Sequence, residues 1–187
     1  KEEKYFRPTK NGNVYALDLV KQINDLRKGI YLHDTLENNT GMDFCIGVAG
    51  YPEKHIEAPS KTFDLEKLKE KVDNGADYVV TQMFFDNKQY FDFVEKARQM
   101  GINVPIIPGI KPISVRRHLN IIPQAFFLDF PEELVKEIEK CKNNNEVKQV
   151  GIEWAIAQSK ELKQAGVPSL HYYSMGKSEN IIQIISK

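Results

Sequence analysis

Hydrophobic residues follow two alternating patterns along the chain, one typical of amphipathic helices and one typical of buried strands. Apolar positions spaced three and four apart predict helices, and short runs rich in β-branched and aromatic residues predict strands. A polar loop is predicted over residues 1–13. The predicted helices are 15–28, 63–74, 88–100, 114–121, 132–140, 146–164 and 177–185. The predicted strands are 42–49, 78–85, 104–107 and 169–175.

The alternation of strands with helices predicts an α/β fold. The strands are nearly continuous apolar runs, as in a parallel sheet covered by helices. An open doubly wound sheet and a TIM-type (β/α)8 barrel both show this alternation. No GxGxxG or Walker loop follows a strand, and polar residues collect where strands end, which is the functional face of a barrel. We therefore favour a barrel. About four βα units are present, and they would form the C-terminal part of that barrel. These polar residues are Tyr51 to His55, Gln82, Asp86, Lys111 and Lys177.

The amino-acid composition indicates which kinds of binding partner to expect. The 187 residues suit a single domain, and 26 basic residues balance 26 acidic ones, so we expect no nucleic-acid partner. No apolar run approaches the roughly 18 residues of a membrane span, and no leader is visible. We expect Cys45 to be a buried, inert thiol and the protein to be cytoplasmic. The chain begins at Lys1 and its first methionine is Met42, so we expect a segment of a longer protein.

Candidate chemistry begins in the stretch AGYPEKHIEAPS, residues 49–60, which places a tyrosine, a histidine and carboxylates just after a strand. In the next helix Asp64 and Lys71 are seven residues apart, so they share a face. They could bracket a ribose and a phosphate, or form an ordinary solvated face. Gln82 lies in an apolar strand. Its side-chain amide either forms its hydrogen bonds within the sheet or forms them with a ligand. His33 and His118 are expected on the surface, and neither metal-ligand spacing nor a GxSxG motif is present.

Four motifs in this order resemble the catalytic barrel of the methylenetetrahydrofolate reductase family. They are AGYPEKHIEAPS, LEKLKEKVDNGADYVVTQMFFD at 65–86, IIPGIKPI at 106–113 and HYYSMGKSEN at 171–180. The segment VYALDLVKQI at 14–23 is similar to the same family. The resemblance covers essentially the whole chain, and its combination of motifs is specific although no single piece is.

The resemblance implies a flavoenzyme that uses NAD(P)H, through FAD, to reduce 5,10-methylenetetrahydrofolate to 5-methyltetrahydrofolate. Gln82 matches the glutamine that contacts both nicotinamide and folate. Lys177 stands where many members have arginine near the folate tail, and it lacks the planar fork of arginine. Six residues match cofactor-binding positions: Tyr15, Ala16, Tyr51, His55, Asp64 and Lys71.

The resemblance also implies that the catalytic acidic residues lie upstream of Lys1. Residues 1–187 would then be the C-terminal portion of one catalytic barrel domain whose first strands are absent. We expect this chain alone to be inactive. We also expect a homo-oligomer, because unpaired edges and residues such as Ile46, Val48 and Val80 would otherwise face water. The rival hypotheses are a non-catalytic half-barrel that binds a ligand or partner, and an unrelated TIM-barrel enzyme such as a phosphate-handling aldolase.

Overall fold

The computed structural model describes residues 6–10, 12–33 and 35–187, and the rest of the predicted N-terminal loop lies outside them. The described chain alternates helices with strands, as the hydrophobic pattern predicts. The helices are α1 (Ala16–Arg27), α2 (Lys61–Asp73), α3 (Asn87–Gln99), α4 (His118–Phe126), α5 (Glu132–Lys140), α6 (Asn144–Gln164) and α7 (Glu179–Ile185). The strands are β1 (Gly47–Gly50), β2 (Tyr78–Met83), β3 (Ile106–Ile110) and β4 (His171–Tyr172).

The four strands form one parallel sheet in the order β1-β2-β3-β4, which confirms the α/β prediction. Each strand lies beside its neighbour in the sequence, with the pairs Gly47↔Tyr78, Val80↔Ile107 and Ile110↔Tyr172. A doubly wound sheet would reverse its strand order at a switch point. The sequential order is also that of consecutive units in a (β/α)8 barrel.

Some element boundaries differ from the prediction for local reasons. Helix α2 begins at Lys61 because the Ser60 hydroxyl accepts a hydrogen bond from Phe63 N–H at 3.1 Å, which caps the helix. Strand β1 is shorter than predicted and starts at Gly47. Cys45 therefore precedes the sheet and is exposed, so its predicted burial is wrong, whereas Cys141 is buried.

The larger hydrophobic core lies between the sheet and the helices. Val48, Val79 and Ile106 pack in it together with residues of the covering helices. Ile46 and Val48 are only 6% and 7% exposed, so the prediction that they face an open side is wrong. Gly47 and Ala49 alternate with them and are exposed, so they, not Ile46 and Val48, point away from this core at β1.

A second core joins the end of β2 to α4, α5 and the start of α6. Leu134, Ile138 and Val147 are fully buried in it, and Met83 and Phe85 reach it from the β2 segment. This core holds the segments that follow β3 against the carboxyl edge of the sheet. Among the helices of the described residues, none combines the length and hydropathy needed to cross a bilayer.

Gly151 allows α6 to approach the segment after β3 at very short range. A Cβ built on Gly151 would lie 2.0 Å from the carbonyl oxygen of Ile113, which is itself buried. Glycine normally weakens a helix interior by about 1 kcal/mol relative to alanine. The close approach of the two backbones requires it at this position nonetheless.

We expect Gly151→Ala to lower the free energy of unfolding of the full-length protein by about 1–3 kcal/mol, because the added methyl group must push α6 away from Ile113. Urea unfolding followed by circular dichroism measures the change. Ala157→Ser, at an exposed position of the same helix, is the control and should change stability by less than about 0.5 kcal/mol. An increase in stability for Gly151→Ala would contradict the tight packing.

Candidate functional site

A cavity of about 620 Å³ lies between the start of α1, the loop after β1 and α2. Its size falls within the range of about 300–1,000 Å³ that is usual for small-molecule sites. The six residues predicted to bind a cofactor all line it, although they come from three separate segments of the chain. The lining includes Tyr15, Ala16, Tyr51, His55, Asp64 and Lys71, together with Asp18, Glu57, Phe63 and Lys67.

The loop after β1 forms one wall of the cavity. The Tyr51 and His55 rings meet edge to face, with centroids 4.6 Å apart and planes at 69°. Burial, with the Asp64 carboxylate as a second cause, raises the pKa of Tyr51, so its hydroxyl keeps its proton near neutral pH. Lys54 has a φ of 142°, a conformation rare for residues other than glycine, and its Nζ donates to Ala58 O at 2.6 Å.

Two side chains of α2 form hydrogen bonds to the backbone of this loop and of β1. The Asp64 carboxylate accepts a hydrogen bond from His55 N–H at 2.9 Å. Lys71 Nζ donates to the carbonyl oxygen of Ala49 at 2.9 Å. Burial lowers the pKa of Lys71, and within the described part of the chain no carboxylate forms an ion pair with it. The cavity wall thus contains a partly buried ammonium group that could meet an anion.

The start of α1 forms the opposite wall. The Asp18 carboxylate accepts hydrogen bonds from Val14 N–H at 3.2 Å and Tyr15 N–H at 3.0 Å, which fixes the turn into the helix. Tyr15 keeps 66% of its surface exposed and Ala16 is exposed at the first helical position. An aromatic ring and backbone groups therefore stand at the cavity mouth.

Gln82 lies in a β-bulge and does not line the cavity. The pairing with β3 shifts register between Val80 and Met83, opposite Pro108, which has no N–H to continue the ladder. The Gln82 side-chain oxygen accepts a hydrogen bond from Met83 N–H at 3.0 Å. The oxygen of this amide is therefore satisfied within β2, as the structural hypothesis predicts. Its NH₂ group donates to no acceptor among the described residues.

The bulge is stabilised by β3 and by the segment after β4. Thr81 Oγ1 accepts a hydrogen bond from Gly109 N–H at 2.9 Å, and the Tyr173 hydroxyl donates to Thr81 O at 2.9 Å. The shift also explains why Val79 and Phe84, five residues apart, pack in the same core. A strand without a bulge would turn them to opposite faces.

The remaining predicted residues lie elsewhere. Lys177 is exposed in a turn closed by its own N–H on Ser174 O at 3.1 Å, outside the cavity. His33 is exposed as expected. His118 is half-buried, with its Nδ1 accepting from Ser114 N–H at 3.4 Å, so its expected surface position is wrong. Among the described residues no group of three potential metal ligands occurs.

Glu53 is a member of the site region whose role the sequence did not reveal. Its carboxylate accepts a hydrogen bond from Asp129 N–H at 2.7 Å, linking the loop after β1 to the segment after α4. Burial is the main cause that raises the pKa of Glu53 to about 7. Its place in the GYPEKH stretch is the only local signal, because the partner lies 76 residues away.

Comparison with known proteins gives a consistent result. The family model described as Methylenetetrahydrofolate reductase matches residues 1–187. Methylenetetrahydrofolate reductase (NADH) 1 of Arabidopsis thaliana is 39% identical over 192 residues, covering 96% of this chain and 30% of that protein. The 5,10-methylenetetrahydrofolate reductase of Pectobacterium carotovorum is 33% identical over 168 residues, covering 89% of this chain and 51% of that protein. The chain thus spans less than a third of the first relative and about half of the second.

A solved structure shows the same fold at low sequence identity. It is an uncharacterised protein from Clostridium thermocellum described as binding two copies of 5-methyl-5,6,7,8-tetrahydrofolic acid. The similarity has a TM-score of 0.51 at 20% identity and covers 76% of this chain and 52% of the other.

Glu53 should make stability depend on pH in a defined direction. Its pKa is raised in the folded state, so its contribution is complete below the ordinary value of 4.5 and is lost as the pH rises through about 7. Glu53→Gln keeps an acceptor for Asp129 N–H and removes the charge. We expect its melting temperature to exceed that of the wild type at pH 8 by about 2–4 °C.

The difference should shrink towards pH 4.5, where the wild-type carboxyl is protonated. Differential scanning calorimetry across this range measures it in the full-length protein. Glu66→Gln, an exposed position on α2, serves as the matched control. A gain that is the same at every pH would contradict the assignment to Glu53 ionisation.

Proposed function

The chain belongs to the methylenetetrahydrofolate reductase family, and from this premise we propose that the protein containing it reduces 5,10-methylenetetrahydrofolate to 5-methyltetrahydrofolate with NAD(P)H and FAD. The observation that carries the proposal is the convergence on one cavity of the six residues that the resemblance implies for cofactor binding, which come from three separate segments of the chain. The name of the Arabidopsis thaliana relative, which specifies NADH, supports a nicotinamide co-substrate. The folate described in the Clostridium thermocellum protein supports a folate ligand.

The residues of the cavity fit a flavin nucleotide. A phosphate group could pair directly with the Lys71 ammonium, which the nearby Asp64 carboxylate attracts without forming an ion pair among the described residues. Asp64 uses one carboxylate oxygen for His55 N–H, which leaves the other to accept from a ribose hydroxyl. The Tyr51 and His55 rings offer apolar faces and edges to a planar group. FAD, when bound, would accept a hydride from the nicotinamide and deliver it to the folate.

Gln82 would contact the two substrates in turn. An amide can donate to one ligand and accept from another. Because the Gln82 oxygen already accepts from Met83 N–H, its NH₂ group is the part available to donate to the nicotinamide and then to the folate. The bulge at Thr81 and Gln82 holds that group at the carboxyl end of β2.

We further propose that the chain is the C-terminal part of a (β/α)8 barrel. Four parallel strands in sequential order support this architecture. The exposed Gly47 and Ala49 of β1 belong to the side that would face the barrel interior. The proton donor for folate reduction would then come from the part of the barrel that precedes this chain.

Loss of the Lys71 charge should weaken FAD binding without unfolding the protein. We expect Lys71→Met in the full-length protein to raise the dissociation constant for FAD about 10- to 100-fold, as for loss of a hydrogen bond to a charged group. The melting temperature of the apoprotein should stay within about 2–4 °C of the wild type. Titration of the apoprotein with FAD, followed by flavin fluorescence, measures the affinity.

Lys69→Met is the matched control, because Lys69 lies on the same helix but pairs with Asp73 and does not line the cavity. This variant should bind FAD like the wild type. Equal affinities for Lys71→Met and Lys69→Met would refute the assigned role of Lys71.

The two hypotheses for Gln82 can be separated by a pair of variants. Gln82→Glu retains an acceptor for Met83 N–H but loses the NH₂ donor, whereas Gln82→Ala loses both. We expect both variants to slow flavin reduction by NAD(P)H and flavin reoxidation by methylenetetrahydrofolate at least about tenfold, the effect of about 1.4 kcal/mol. Stopped-flow absorbance of the flavin follows each half-reaction.

Only Gln82→Ala should also lower the melting temperature, because it leaves Met83 N–H without its partner. If Gln82→Glu keeps both rates, the amide is structural and its proposed contact with substrate is wrong.

A further inference from the structure

The loop after β1 contacts two different parts of the fold. On one side Tyr51 and His55 line the cavity. Glu53, two residues from each of them, does not line it and instead accepts the hydrogen bond from Asp129 N–H at 2.7 Å. Among the side chains of residues 51–54, all within the described chain, only that of Glu53 forms a hydrogen bond to a segment outside the loop. The Glu53 carboxyl group is therefore the polar link between this cavity wall and the segment after α4.

The donor that Glu53 meets is held in place by its own neighbours. Leu128, which precedes Asp129, is 3% exposed and belongs to the second core. Phe130, which follows Asp129, packs its ring against that of Phe85 with the centroids 4.3 Å apart. Apolar packing on both sides thus fixes the Asp129 N–H group. If the hydrogen bond were lost, the loop after β1 is the part that would move.

The later half of this loop is attached to α2, and a strained residue joins the two halves. His55 N–H donates to the Asp64 carboxylate at 2.9 Å. Lys54, between Glu53 and His55, has a φ of 142°, which residues other than glycine rarely adopt. Such a conformation persists only where the surrounding structure holds it. We therefore expect release of Glu53 to let Lys54 relax and to move Tyr51 at the cavity wall.

The charged groups around Glu53 make this link sensitive to ionisation. The carboxyl group is half-buried, and burial is the largest cause that raises its pKa to about 7. The carboxylates of Asp129 and of Asp86, the capping residue of α3, also raise it. The hydrogen bond from Asp129 N–H and the charge of Lys61, at the start of α2, act in the opposite direction. One neutral donor and one exposed lysine do not offset the cost of burying the ionised form.

We propose that Glu53 is a positioning residue for the cavity, and that its protonated carboxyl group holds the loop after β1 where Tyr51 and His55 can contact a flavin. This assignment rests on the proposed function and extends it to a residue outside the cavity. The carbonyl oxygen of a protonated carboxyl group still accepts from Asp129 N–H. Because the protonated form is favoured in the attached loop, the affinity for FAD should fall as the pH rises through about 7.

Titration of the full-length apoprotein with FAD at pH 6 and pH 8, followed by flavin fluorescence, tests the proposal. The wild-type dissociation constant should rise at least about threefold between these values, because the ionised carboxylate leaves its half-buried position. Glu53→Gln keeps an acceptor that does not titrate, so its affinity should change less and should exceed that of the wild type at pH 8. Glu53→Ala has no acceptor and should bind FAD at least about threefold more weakly than Glu53→Gln at both pH values.

Two further variants separate the charge of Glu53 from other effects. Asp129→Asn keeps the N–H donor and removes a repelling charge, so its dissociation constant should rise less than that of the wild type. Glu66→Gln, exposed on α2 and outside the cavity, is the matched control and should reproduce the wild-type rise. Melting temperatures of the apoproteins at both pH values establish that each variant is folded.

The other outcomes overturn the assignment. If Glu53→Gln shows the full wild-type rise, or if Glu53→Ala binds FAD as tightly as Glu53→Gln, Glu53 does not position the cavity wall. Wild-type binding of FAD in the same experiment leaves the proposed cofactor intact in that case. A wild-type protein that binds FAD at neither pH refutes the proposed cofactor and the role of Glu53 with it.

Discussion

Parallel pairing of neighbouring strands is the constraint on which the rest of this structure depends. Because β1 to β4 run in one direction and in sequential order, the loops that follow them emerge at a single edge. The loop after β1, the bulged end of β2, Lys111 after β3 and the turn after β4 are therefore brought to one side. Their separations along the chain, from Tyr51 to Lys177, do not matter once the sheet has formed.

On that edge, hydrogen bonds between side chains and backbone determine the local shapes. Asp64 and Lys71 attach α2 to the segment after β1 through His55 N–H and Ala49 O. Thr81 and Tyr173 hold the bulge in β2. In both places a polar side chain satisfies a backbone group that the regular sheet does not, which is the usual requirement for irregular backbone near a core. Both the loop after β1 and the bulge in β2 are therefore irregular segments whose backbone groups are satisfied by side chains.

The two hydrophobic cores hold different parts of this edge in place. The core between sheet and helices holds β1, α2 and the cavity, whereas the second core holds the segments after β3 beside the bulge. Gly151 and Trp154 join them through α6: Gly151 contacts the segment after β3 at close range, and Trp154 Nε1–H donates to Phe85 O at 2.9 Å.

The sequence by itself determined the element types, their order and six of the residues that line the cavity. Hydrophobic periodicity is a local property, and the resemblance carried by the motifs identified six residues that line the cavity. Only tertiary contacts decided that Cys45 is exposed, that Ile46 and Val48 face the helices, and that Glu53 meets Asp129. They also decided the bulge at Gln82, because it depends on Pro108 of the neighbouring strand. Such features arise between residues far apart in the chain, where local patterns carry no information about the partner.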